Sequence, residues 1–172
     1  MTDKKAVRRQ MDEMLAQGTG KTEVFRQLSG QGIKDRLLAT WLASKPDLQG
    51  FAEMRMHVNI LTGLMAVQAL IILAITAPLS FLLGLALMLI PLLFAWGFRQ
   101  PRAGAYTTYV FLSIVTLGRN VAHMFPLTAG SVVGFAISIG MIWYVFWVQR
   151  RIFPDTSFIG PNRKGREFVF TT

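Results

Sequence analysis

From Val58 to Phe98 the chain runs through apolar and small residues without one Asp, Glu, Lys or Arg. A bilayer core about 30 Å thick needs roughly 20 apolar residues per helical crossing, so this block holds two spans and a tight turn. The turn falls at Ala77-Pro78-Leu79-Ser80. Two further apolar blocks follow. The pattern predicts spans over about 58–77, 81–98, 104–124 and 128–148, with short connections that make successive spans antiparallel neighbours. Pro91 is expected to kink the second.

Before the first span the periodicity changes to that of short amphipathic helices. Val7, Met11, Met14 and Leu15 form one stripe, ended by Gly18 and Gly20. Val24, Phe25 and Leu28 form a second, broken by Gly30 and Gly32, and Ile33, Leu37, Leu38, Trp41 and Leu42 a third. Residues 1–46 therefore read as a three-helix module. A unit this small without disulfide or metal is marginally stable alone, so it is expected to lean on the membrane domain, a second copy or a partner. Residues 47–57 read as a lead-in helix with Asp47 as its N-cap.

After the last span, residues 150–172 form a basic tail. Gly160-Pro161-Asn162 and Lys164-Gly165 are turn signals, and Phe168-Val169-Phe170 alternates like a short strand. Two expectations stand side by side here: a small hairpin with Phe158-Ile159, or a frayed basic end. The fold class is thus an all-α integral membrane protein, a four-span transmembrane helical bundle with a small N-terminal cytoplasmic helical domain.

Composition agrees with this class. Mean hydropathy is +0.43 and 52% of residues are hydrophobic, more than one soluble core needs. The opening MTDKKAVRRQ is charged like the start of a signal peptide, but no apolar run follows before Val58, so the first span is expected to stay uncleaved. Cysteine is absent, which excludes disulfides, thiolate metal sites and cysteine nucleophiles.

The net charge of +9 is distributed informatively. Arg55 precedes the first span, Arg99 and Arg102 lie between the second and third, and Arg150 and Arg151 follow the fourth. The positive-inside rule then places both termini in the cytoplasm, with a bacterial inner membrane as the expected location. Trp96, Tyr106, Tyr109, Trp143, Tyr144 and Trp147 are expected as an aromatic belt at that same interface. Arg99, Arg102, Arg150, Arg151, Arg163, Lys164 and Arg166 are candidate contacts for anionic lipid phosphates.

Several motifs invite chemistry. GTGKT at 18–22 resembles the end of a phosphate loop, but the glycine required five residues before Gly20 is Leu15, and no strand precedes it; a turn between helices is the better account. Residues 21–42 have the outline of a helix-turn-helix. Yet residues 1–56 hold ten Lys and Arg against seven Asp and Glu, a weak footprint for nucleic acid, and a packing module is favoured.

Between Glu53 and Asp155 there is no carboxylate, which argues against proton or cation coupling by this chain. The polar residues left in the spans are Gln68, Arg119, Asn120 and His123. Arg119 and His123 are four apart and share a helical face, a candidate anion or lipid-phosphate site; the competing account has Arg119 snorkelling to the headgroups. Gln68 is expected to make an interhelical hydrogen bond. His57 and His123 fall on opposite sides of the membrane and cannot share a metal, and Ser113 and Ser138 lack a base. No catalytic residue, metal site or cofactor is expected.

Gly130, Gly134 and Ser138 recur every four residues, with Ala136 and Gly140 as a second small pair. Such a ridge seats either a second copy or another span of the same chain. The leading expectation is a non-enzymatic interaction, scaffold or regulatory component of a membrane complex. It would hold a protein partner or copies of itself through span four or the cytoplasmic segments. The alternatives are a small oligomeric transporter or channel for an anion or polar solute, and a membrane-tethered DNA binder.

Overall fold

The computed structural model describes residues 4–100, 102–121, 128–157, 160–165 and 167–171. Eight helices and four two-residue strands occur among them. The chain divides into two compact units, Met1–Asp47 together with Phe153–Thr172, and Leu48–Ile152.

The first unit contains α1 (Lys4–Ala16), α2 (Lys21–Leu28) and α3 (Asp35–Ala43). Their ends follow the glycines: Gly18, Gly30 and Gly32 have φ of 83°, 79° and 84°, a left-handed backbone that glycine adopts without a Cβ clash. Val7, Met11, Val24, Leu28, Ile33, Leu38, Ala39, Leu42 and Ala43 form the core, and the tail contributes Phe170 to it. The tail is neither the expected single hairpin nor a frayed end. It makes two antiparallel ladders: β1 (Thr156–Ser157) pairs with β2 (Gly160–Pro161), and β3 (Arg163–Lys164) with β4 (Glu167–Phe168). Phe158 and Ile159 lie outside the described residues. Two-residue ladders are not stable by themselves in water. Here β2 packs on α3, and Phe168 and Phe170 sit 5.6 and 5.5 Å from the Phe25 ring, so tertiary contacts hold them.

The second unit contains α4 (Leu48–Glu53), α5 (Arg55–Thr76), α6 (Phe81–Arg99), α7 (Ala103–Val121) and α8 (Ala129–Ile152). Three of these, α5, α6 and the segment Gly130–Ile152 of α8, are long and apolar enough to cross a membrane. α7 coincides with the third expected span as a helix, but Tyr106, Thr107, Thr108, Tyr109, Arg119 and Asn120 dilute it below that standard. Residues 122–124 of that span lie outside the described residues.

α5 and α6 pack along their length as a hairpin. Ser80 caps α6, its hydroxyl accepting from the Leu83 amide at 3.4 Å. α6 continues unbroken through Pro91. Two of its glycines permit close approach: a Cβ on Gly84 would lie 2.7 Å from the Thr76 hydroxyl, and one on Gly97 would lie 2.8 Å from the Ala105 Cβ. A Gly97→Val chain is therefore expected to lose about 1–3 kcal/mol through overpacking between α6 and α7. Gly134→Val should leave thermal unfolding in micelles unchanged, because no described residue lies within 4 Å of that Cβ position.

Of the aromatic residues expected at the interface, Trp96 and Trp143 are exposed, whereas Tyr106 and Tyr109 are buried against the protein. They pack on Phe98 with ring centroids at 4.7 and 5.6 Å, and the Tyr106 hydroxyl donates to the Phe98 carbonyl at 3.1 Å. The burial of these phenols packs the first turns of α7 against the end of α6.

Candidate functional site

The densest polar constellation lies in the first unit, where the chain's two ends meet. Lys21 opens α2 immediately after Gly20, so its long side chain leaves the first turn of that helix. Its ammonium donates to Asp155 Oδ2 at 2.6 Å and to the Lys45 carbonyl at 3.0 Å. Asp155 is 0% exposed and the Lys21 side chain 11%. The other carboxylate oxygen, Oδ1, accepts from the Thr171 amide. Asn162 then ties the tail to itself: its amide N–H donates to the Asp155 carbonyl at 2.9 Å and its Nδ2 to the Pro154 carbonyl at 2.7 Å. The Asn162 carbonyl accepts from Val169 at 3.1 Å.

A buried carboxylate is expensive unless paired and hydrogen-bonded, and both conditions are met at Asp155. The lysine of GTGKT is thus committed to a carboxylate of its own chain, an arrangement that clamps two segments 134 residues apart. Around the clamp, Arg8 lies over Trp41 at 5.6 Å, Arg163 over Phe168 at 4.5 Å, and Lys45 pairs with Asp12 at 2.6 Å. On α2, Arg26 and Gln27 donate to Glu23 and hold its carboxyl below the usual range, the Arg26 hydrogen bond being the main cause. α3 buries Leu38, Ala39, Leu42 and Ala43, leaving Lys34, Asp35, Arg36 and Thr40 outward, a short face of mixed charge.

A second polar group lies in the bundle near Arg55. His57 Nδ1 and the Tyr144 hydroxyl are 2.8 Å apart, and His57 meets the Trp147 ring edge-on at 5.1 Å. Arg151 lies 5.9 Å from the same Trp147 ring, Arg150 5.4 Å from Phe146, and Arg102 5.6 Å from Trp96. Gln149, 3% exposed, donates through Nε2 to Thr107 Oγ1 at 2.9 Å, while its Oε1 has no partner among the described residues. Sequence reading missed Gln149 because it precedes two arginines and reads as part of their polar run. It missed Lys21 with Asp155 because nothing local joins them.

The residues singled out from the sequence are dispersed. Gln68 lies exposed on α5, without a hydrogen-bond partner among the described residues. Arg119 and Asn120 are exposed at the end of α7, and His123 lies outside the described residues. Gly130, Gly134, Ala136, Ser138 and Gly140 are all exposed on α8, and Ser138 donates back to the Gly134 carbonyl at 2.8 Å. The ridge therefore seats no other described span of this chain. Arg99, Arg102, Arg150, Arg151, Arg163 and Lys164 are exposed, as lipid contact requires, and Arg166 lies outside the described residues. Among the described residues no group of three or more His, Asp or Glu side chains could hold a metal.

Fold and site together define a multi-pass, mostly helical membrane protein whose N- and C-terminal segments share one domain. Compared with known proteins, the chain matches no family model, no curated protein sequence and no solved structure.

Proposed function

We propose that this protein is a non-enzymatic scaffold or regulatory subunit of a membrane complex, with the composite N- and C-terminal domain as the module that engages a protein partner. The observation carrying this reading is the joint folding of Met1–Asp47 with Phe153–Thr172 around the buried Lys21 and Asp155 pair. The buried Lys21 and Asp155 are spent on an internal clamp, which suits a rigid recognition surface better than a reaction centre.

The same observation supports four crossings. Two segments that share a core lie on one side of the membrane, so the chain between them crosses an even number of times. With α5, α6 and α8 as three crossings, α7 becomes the fourth despite its polarity. The arginines at 55, 99, 102, 150 and 151 then face the cytoplasm, and the bacterial inner membrane is the proposed location. Those arginines, with Arg163 and Lys164, face anionic lipid phosphates. Transport is the weaker reading, because Gln68, Arg119 and Asn120 are exposed and form no shared site among the described residues. The mixed charge of α3 gives DNA binding little support.

Native mass spectrometry of the complex, extracted gently into lipid particles, tests the proposal. A foreign subunit at fixed stoichiometry is expected, and it should be lost from an Asp155→Ala chain that still inserts. Recovery of only this chain, alone or with its own copies, would sink the proposal.

A further inference from the structure

Along α5 the buried residues Val58, Leu61, Met65 and Ala69 form one stripe towards the bundle. About a quarter-turn round the helix, at roughly 100° per residue, runs a second row made of Leu64, Gln68, Ile71 and Ile75. All four are exposed, the three apolar ones at 42%, 53% and 67%. Their spacing of four, three and four residues is that of a two-helix seam, with Leu64 and Ile71 at one core position and Gln68 and Ile75 at the other. This row is covered by no described element of the chain.

Gln68 makes lipid a poor cover. α5 begins at Arg55, so at 1.5 Å per residue Gln68 lies about 20 Å along a helix about 33 Å long, well inside the apolar layer. A carboxamide there has two N–H donors and a carbonyl acceptor, and hydrocarbon satisfies none of them. We infer that this row is the seam of a parallel homodimer, in which Gln68 of one copy hydrogen-bonds Gln68 of the other.

The occupant follows from the chemistry of the row. An amide is self-complementary, since each of two facing carboxamides can donate to the other's oxygen. Two copies inserted in one membrane with the same topology are already parallel, and a two-fold axis along the seam brings each residue opposite itself. The seam carries no charge, so two copies meet without repulsion. A single polar residue in an apolar seam also selects register, because any slip leaves both amides unpaired. This contact involves α5 alone and is independent of any partner held by the composite domain.

The absence of cysteine makes the test direct. Single cysteines at Leu64, Gln68, Ile71 and Ile75, and at the off-seam positions Val67 and Leu70, are introduced one at a time into the full chain. Oxidative cross-linking is then carried out in native membranes. The seam positions are expected to give a band at twice the chain mass several-fold stronger than Val67 and Leu70. Equal yields at all six positions, no dimer band, or adducts of another mass would overturn the inference. Energy transfer between labelled full-length copies in liposomes, diluted with lipid, gives a second readout. Gln68→Leu should weaken association roughly three- to tenfold, the usual range for a hydrogen bond between membrane helices, while Gln68→Asn retains it. Because position 68 is exposed and leucine is more apolar, insertion and the α5–α6 hairpin stay intact. Unchanged association of Gln68→Leu would therefore overturn the amide pairing.

Discussion

Replacing Asp155 with alanine is expected to unfold the composite domain while leaving α5–α8 inserted. The substitution strands the Lys21 ammonium, whose side chain is only 11% exposed, and frees the Thr171 amide. Breaking a buried pair by removing one partner costs about 3–5 kcal/mol. A single core of this size rarely supplies more than about that amount, so little stability would remain. Hydrogen exchange of the α1–α3 amides in lipid particles is the measurement, and protection should collapse towards that of a fraying segment. Lys21→Met should do the same. The double variant Lys21→Met with Asp155→Leu should recover much of the loss, because an apolar pair can replace a buried ion pair at little cost. If the double variant is as unstable as either single one, the hydrogen bonds to the Lys45 carbonyl and Thr171 amide matter more than the charges.

Ending the chain at Ile152 should have an effect as large by a different route. It removes Phe170, 7% exposed, and Phe168, and so uncovers Phe25 and the apolar face of α2. Loss of a buried phenylalanine alone costs about 3–5 kcal/mol. Trypsin, which cuts after Lys and Arg, should then cleave the helices around Gly18 and Gly30 many times faster than in the full chain. The core of α1–α3 is accordingly expected to close during synthesis only after the last helix and the tail have been made. Pulse-labelled chains should become protease-resistant in α1–α3 only after residue 170 has emerged. Resistance before that point would mean that the three helices hold together without the tail.

The glycine stops and apolar stripes were enough to place α1, α2 and α3, because helix ends and amphipathic faces are local properties. The uncharged run from Val58 to Phe98 likewise delimited α5 and α6. The same reasoning expected a small N-terminal module to need outside support, yet it could not name the tail as the support. The two tail ladders, Thr156 with Pro161 and Arg163 with Phe168, depend on α2 and α3 for their stability, so no local pattern specifies them. Tyr106 and Tyr109 show the limit from another side. As residues they suit a membrane interface, and it is the packing of α7 on Phe98 of α6 that turns them into a core.

What the sequence determined by itself was therefore what local composition sets: which blocks are long and apolar, where helices stop, and which segments between them carry arginine. Tertiary structure alone decided that Lys21 meets Asp155, that Gln68 faces outward and that no described residue packs against the glycines of the α8 ridge. Each of these depends on which surfaces of separate helices come together, and that is fixed by packing and paired buried charge across the whole chain rather than by any one stretch of it.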